Sequence, residues 1–314
     1  MTDLEMPRPE SSAQVRATAE RTAHLREQPL RAAGPTSGFF RGTAQSVRDI
    51  WAYRELLGLL TRRELKSRYK DSVLGFFWSL MKPLSQLLIY YIALGKFLGA
   101  DRAIDDYAIF VFTGLTAWQL FSEVINSGTS SIVANGGLVK KIYLPREVFP
   151  LASIGSALFN FVVQLAILVV ATLLVGKPPL DADLLYLPLG LVVLLLFSTA
   201  AAFLLSAVNV YLRDVQYLVE ILLSVLFWTA PTVYSYEQVH RQIGFGWLGD
   251  LYDSNPLVNV VMAFQRAVWV AGDDTPGPAH LAENLFILTG VGLVLVFLCQ
   301  RVFTRLQNNF AQEL

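Results

Sequence analysis

The chain has 314 residues, of which 54% are hydrophobic and only 16% charged, and its mean hydropathy is +0.46. A soluble domain is about a quarter charged, so this chain spends much of its length in lipid and a soluble enzyme is excluded. Its 25 basic and 25 acidic residues cancel, so nucleic acid or another strongly charged partner is not implied; what matters is where the charges sit.

Residues 1–45 are rich in Pro, Ser, Ala, Arg and Glu and lack the roughly 7 to 15 residue apolar core of a signal peptide, which predicts a disordered cytoplasmic tail. Residues 46–72 read as an amphipathic interfacial helix, with Ile50, Tyr53, Leu56, Leu57 and Leu60 at helical spacing on one face. It carries the basic cluster Arg62, Arg63, Lys66, Arg68 and Lys70, the composition of a helix lying on an anionic leaflet. Apolar segments then follow at 73–98, 107–127, 148–175, 184–209, 215–236 and 281–300. A crossing needs about 20 residues, so the expected fold is an all-α polytopic membrane protein with six transmembrane helices over 73–305 and a short cytoplasmic tail at 306–314. Lys82 and Pro83 interrupt the first segment; the lysine can snorkel to the headgroups and the proline predicts a kink. The short break from Asn209 to Asp214 makes the fourth and fifth segments an antiparallel hairpin.

Counted on alternate sides, 20 Lys and Arg residues fall on the side of both termini and 5 on the other, against eleven acids there. The positive-inside rule then places both termini in the cytoplasm. The outer loop 237–280 contains Asn255-Pro256 followed by Leu257, Val258, Val260, Val261, Phe264, Val268 and Trp269. Asn as N-cap and Pro at the first position start a helix too short to span, so an external lid of re-entrant or interfacial elements is expected.

The chain has no G-x-x-x-x-G-K-[ST] phosphate loop, so any ATP is hydrolysed by a partner. His24, His240 and His280 are scattered and no Cys/His cluster has metal-ligand spacing, so no metal and no cofactor bound by this chain are expected; Cys299 has no mate for a disulfide. Asp181-Ala182-Asp183 superficially matches a D-x-D, but on a short external loop it reads as helix-capping acids. Glu123 lies inside an apolar segment; an embedded acid invites a functional role, while the polar exit at Asn126-Ser127-Gly128 favours interhelical pairing. The many aromatic residues suit an interfacial belt. A second reading makes Tyr90, Tyr91, Tyr234 and Tyr236, toward the outer ends of the first and fifth segments, a ring of sugar-stacking conduit aromatics.

Four stretches together resemble one family. The run Arg62-Arg63-Glu64-Leu65-Lys66-Ser67-Arg68-Tyr69-Lys70-Asp71-Ser72-Val73-Leu74-Gly75-Phe76-Phe77-Trp78, the run Asn135-Gly136-Gly137-Leu138-Val139-Lys140-Lys141-Ile142-Tyr143-Leu144-Pro145-Arg146, Arg213-Asp214-Val215 and Asn255-Pro256 occur in the order found in the permease subunits of type-2 ABC exporters of lipid-linked polysaccharide, such as O-antigen, teichoic acid and galactan. The similarity covers nearly all of residues 50–305. It implies a location in a bacterial plasma (inner) membrane and a homodimer bound to two copies of a cytoplasmic ABC ATPase that carries the Mg-ATP. It also implies a gating helix at 46–72 and a coupling segment at 134–146, in which Leu138, Val139, Ile142 and Tyr143 give one apolar side and Lys140, Lys141 and Arg146 the charge. Arg62, Arg63, Lys66, Arg68 and Lys70 are then placed to attract the diphosphate of a polyprenyl-linked glycan, with plain attraction to anionic membrane lipid as the alternative. Exporters of a smaller lipid or drug, a secondary carrier dependent on Glu123, and a membrane glycosyltransferase stay open, although the catalytic carboxylate cluster of the last is missing.

Overall fold

The computed structural model describes residues 39–69, 75–141, 144–244, 246–272, 275–278 and 280–314. Lys70, Ile142 and Tyr143, with residues 1–38 of the expected tail, lie outside the described residues, and only the backbone of Arg68 is described. All regular structure among the described residues is helical.

The amphipathic region begins at Phe39 rather than near 46 and divides in two, α1 (Phe39–Ala52) and α2 (Arg54–Tyr69), with a turn at Tyr53. Leu56, Leu57 and Leu60 turn inward as their spacing predicts, while Tyr53 stays exposed. α3 (Gly75–Tyr90) runs through Pro83 and continues without interruption as a π-helical stretch, Tyr91–Phe97, in which Leu98 N–H donates to Ala93 O five residues back.

Among the described residues, four helical stretches are long and apolar enough to cross a membrane: Tyr107–Ala134, Val148–Val175, Ala182–Tyr211 and Leu281–Glu313. They contain α4 (Tyr107–Ala134), α6 (Val148–Val175), α7 (Tyr186–Tyr211) and α12 (Leu281–Leu306), and the short α5 (Gly136–Lys141) lies between the first two. α4 is central and buried along most of its length, whereas α6 and α12 present Val162, Val170, Leu174, Phe286, Leu293 and Val294 outward. Small residues let the central helices approach closely. A Cβ at Gly128 of α4 would sit 2.6 Å from Ala202 Cβ of α7, and one at Gly114 would sit 2.9 Å from the Thr232 backbone.

The fifth expected span, 215–236, is not one continuous helix. α8 (Val215–Phe227) has 13 residues, about 20 Å at 1.5 Å per residue, too short for a hydrocarbon core of about 30 Å. Pro231 explains the stop, because its ring clashes with the carbonyl four residues earlier, and that residue is Phe227, where the helix ends. The irregular stretch after it is buried at Ala230, Thr232 and Val233. Three of its carbonyls accept from side chains: Trp228 O from Tyr234 OH at 2.6 Å, Pro231 O from Gln265 Nε2 at 2.8 Å and Val233 O from Tyr107 OH at 2.8 Å. Broken backbone at membrane depth is tolerated when protein satisfies it in this way.

The lid is three helices: α9 (Tyr236–Ile243), α10 (Trp247–Asp253) and α11 (Pro256–Val268). α11 starts as its sequence predicts, with Asn255 Oδ1 accepting from Leu257 N–H at 2.9 Å and Pro256 in the first turn. Leu257, Val258, Val260, Val261, Phe264 and Val268 are all buried, so α11 sits inside the bundle against α4 and α7. Ionic contacts gather at this end of the bundle, with Lys177 Nζ 2.7 Å from Asp106 and Arg266 Nε 3.1 Å from Asp183. Within the D-x-D motif Asp183 is held by that Arg contact, whereas Asp181 precedes the 3-10 turn Ala182–Leu185 without a side-chain capping hydrogen bond, which corrects the capping expected of it.

At the opposite, basic end, residues 306–314 do not trail away as a tail. They form a 3-10 turn and α13 (Phe310–Glu313). Phe310 is fully buried against Phe303 and Tyr211, with the Arg146 guanidinium 5.6 Å from its ring centre.

Candidate functional site

A cleft of about 410 Å³ lies between α3, α4 and α8. Its polar wall is Lys82, Gln86, Gln119, Ser122, Asn126, Glu220 and Ser224, and its aromatic wall is Tyr90, Trp118, Phe227 and Trp228. Gln119 Nε2 donates to Gln86 Oε1 and ties α4 to α3. Phe227 organises the rings: Tyr90 stacks on it at 5.7 Å, Trp118 meets it edge-on at 5.4 Å and Trp228 edge-on at 5.3 Å. Amide, hydroxyl and charged groups at bilayer depth are costly unless they serve a path or a partner. Side by side with aromatic faces, they form a surface that can hydrogen-bond and stack on a polyhydroxylated ligand. A second cavity, of about 290 Å³ between α4, α7, α8 and α11, is lined almost wholly by apolar side chains such as Phe121, Leu194, Leu205 and Leu226, and offers no such chemistry.

Of the four tyrosines expected to line a conduit, Tyr90 alone lines this cleft. Tyr91 packs under the Lys96 ammonium, 5.2 Å away. Tyr234 holds the Trp228 carbonyl, and Tyr236 donates to Asp253 Oδ1 at 2.8 Å. Three lining aromatics, Trp118, Phe227 and Trp228, fall within what the sequence offers as an ordinary belt. Glu220 is the residue that sequence reasoning missed, because attention to Glu123 as the embedded acid passed over it. The signal was present: Glu220, Ser224 and Phe227 follow one another at i, i+4 and i+7, one face of α8. Glu123 itself accepts from Asn160 Nδ2 at 2.7 Å, the interhelical pairing that the Asn126-Ser127-Gly128 exit favours.

At the basic end, α2 lies on α6, with Thr61 Oγ1 3.5 Å from Ala152 O and Ser153 Oγ 3.3 Å from Glu64 Oε2. Arg62 and Lys66 point outward from α2, and Arg63 donates to Asn135 Oδ1 at the end of α4. In α5, Lys140 and Lys141 are exposed, but Val139 is buried, clustering with Ile132, Phe303 and Phe310. The apolar side expected to meet a partner is therefore corrected at Val139: it closes the permease's own core, and Leu138, partly buried, packs on the same cluster. Arg146 bears on the Phe310 ring, and among the described residues Lys140 and Lys141 are the exposed charges of this segment. Glu147, beside it, is buried, and burial pushes its carboxyl above the usual range.

At the lid, buried His240 joins α9 to α10, its Nε2 3.0 Å from Asp253 Oδ1 and its Nδ1 3.4 Å from Gly244 O. Burial pushes the neighbouring Tyr252 hydroxyl up. No group of three or more His, Cys, Asp or Glu able to hold a metal occurs among the described residues.

A bundle of several long apolar helices is the architecture of a multi-pass membrane protein. Residues 55–269 match the ABC-2 type transporter family, and the chain belongs to that family. It is 30% identical to the O-antigen export system permease protein RfbA of Myxococcus xanthus over 85% of this chain and 98% of the relative, and 27% identical to the protein of the same name from Klebsiella pneumoniae over 83% and 95%. The polysialic acid transport protein KpsM of Escherichia coli is 26% identical over 75% of this chain and 87% of the relative.

Proposed function

We propose that this chain is the permease of an ATP-driven exporter, a homodimer bound to two copies of a cytoplasmic ABC ATPase, that moves a polyprenyl-diphosphate-linked polysaccharide from the inner to the outer face of a bacterial plasma membrane. The observation that carries the reading is the cleft between α3, α4 and α8. Lys82 and Glu220 are exposed on it, and lipid would not tolerate such a wall. A second copy facing the first turns it into an enclosed path, along which amides and hydroxyls exchange hydrogen bonds with sugars while the rings around Phe227 pack on their apolar faces. The names of the relatives, O-antigen and polysialic acid export proteins, supply the substrate class.

Six crossings fit this chain when the four long helices are joined by α3 with its π-helical continuation and by the broken pair α8 and α11. The excess of basic residues at the end carrying α2 and α5 orients that end toward the cytoplasm. Arg62 and Lys66 on the open face of α2 then attract the diphosphate through charge-assisted hydrogen bonds, and Lys140 and Lys141 meet the ATPase. The test is purification of the tagged chain from its host in mild detergent. A stoichiometric ATPase, released when Lys140 and Lys141 are changed to Glu, is the expected result; a chain that purifies alone, without any nucleotide-hydrolysing partner, would move the reading to a secondary carrier.

A further inference from the structure

The basic residues of α2 divide into two sets with different surroundings. Arg62 and Lys66, one turn apart, are exposed and make no ion pair or hydrogen bond among the described residues. Arg63, about 100° around the helix from Arg62, donates from Nη2 to Asn135 Oδ1. Asn135 is a joint. Its Nδ2 donates to Ser131 O at 2.8 Å in the last turn of α4, and its own carbonyl accepts from Leu138 N at 2.9 Å and Val139 N at 3.1 Å in the first turn of α5. The side chain is thus held at both ends, and its rotation cannot absorb a movement of α5.

The structure assigns Arg63 a positioning role: it is the strut through which displacement of α5 by the ATPase is passed to α2, and it is not one of the groups that bind the diphosphate. A planar guanidinium suits this better than an ammonium, because its donors are fixed in direction. Arg63 bears on the joint, whereas the rest of the inward face of α2 rests on α6 through Thr61 and Glu64. When Asn135 moves with α5, α2 is levered against α6, and Arg62 and Lys66 on its open face are carried with it. Capture of the substrate and delivery of the stroke are then divided between neighbouring residues of one helix turn.

This rests on the exporter reading, and the experiment separates the two. In a Cys299→Ser background, one spin label is placed on α2 at Gly58→Cys or on α5 at Gly137→Cys, at both of which a Cβ meets open space. The permease is reconstituted in vesicles with its ATPase, and the distance between the labels of the two copies is measured without nucleotide and after trapping with ATP and vanadate. Both distances are expected to shift. In Asn135→Ala the Gly137 pair still shifts, the Gly58 pair does not, and glycan exported per ATP hydrolysed in the host falls on the order of five-fold or more, the lower end of a typical coupling. Asn135→Asp keeps an acceptor for the guanidinium but loses the donor to Ser131 O, so it restores the Gly58 shift only in part. Arg63→Ala, on an exposed helix position, repeats the Asn135→Ala result if the latter folds poorly, and Arg62→Gln with Lys66→Gln leaves both displacements unchanged. A Gly58 pair that shifts fully in Asn135→Ala and in Arg63→Ala overturns the strut. A Gly137 pair indifferent to ATP, or the absence of any distance between copies, overturns the exporter reading beneath it.

Discussion

α6 and the stretch from α8 to α11 are both long apolar passages of the same chain, yet they fold in opposite ways. α6 runs 28 residues as one helix, with Val162, Val170 and Leu174 turned out of the bundle. The other passage stops at Phe227, four residues before Pro231, passes through buried irregular backbone and returns as α11 inside the bundle. Apolarity brings both into the membrane; a single missing N–H and a few donors decide which becomes a wall and which becomes working structure. The break ends α8 just after Glu220, Ser224 and Phe227, and all three line the cleft.

The largest effect expected from disturbing this contrast is at Gly114, where an added Cβ meets Thr232 backbone at 2.9 Å. Backbone cannot swing aside as a side chain can, so Gly114→Val should cost about 3 kcal/mol, read as a lowered melting temperature in detergent. Gly290→Val on α12, with nothing within 4 Å of its Cβ, should melt with the wild type. Next comes Gln265→Leu, which strips the Pro231 carbonyl of its donor and should cost roughly 1–3 kcal/mol. Its counterpart in α6, Gln164, has a buried Oε1 without a partner among the described residues, so Gln164→Leu should be neutral or stabilising in the same melt.

Smaller still is the pH response of Glu147. Burial raises its carboxyl in the folded state, so the unfolded chain gives up that proton first, and stability present below the ordinary carboxylate range is lost as pH rises through the raised value. Glu147→Gln should therefore stabilise at neutral pH and flatten the dependence of melting on pH above the ordinary range; an unchanged slope would refute the assignment. The smallest effect belongs to Lys177 and Asp106, an exposed pair at 2.7 Å. Lys177→Ala should leave the melting temperature unmoved at moderate salt, since solvent screens such contacts.

Much of this was legible in the residues. The caps of α11, the long helices and the inward stripe of α2 follow from local rules that act within one turn, such as Asn255 ahead of Pro256 or Leu56, Leu57 and Leu60 on one side. What was not legible depends on distant partners. Val139 has the composition of a docking surface and is buried because Phe310 and Phe303 fold back beside it from the other end of the chain. Pro231 was readable as a helix stop, but the break needs Gln265 and Tyr107 to supply donors from other helices, and no spacing within residues 215–236 carries that information. Trp118 and Phe227 lie 109 positions apart in the numbering and become neighbours only when α8 lies along α4.

The most direct test of the account is export itself. In the host lacking this gene product, lipid-linked polysaccharide inside the cell and glycan at the surface are measured after complementation with the wild type, with a cleft variant, Trp118→Ala with Glu220→Gln, and with an α6 variant, Val162→Ala with Val170→Ala, at equal membrane abundance. The account predicts internal accumulation in the deletion strain, rescue by the wild type and the α6 variant, and export several-fold lower with the cleft variant. Equal export by both variants, or no accumulation on deletion, would contradict it.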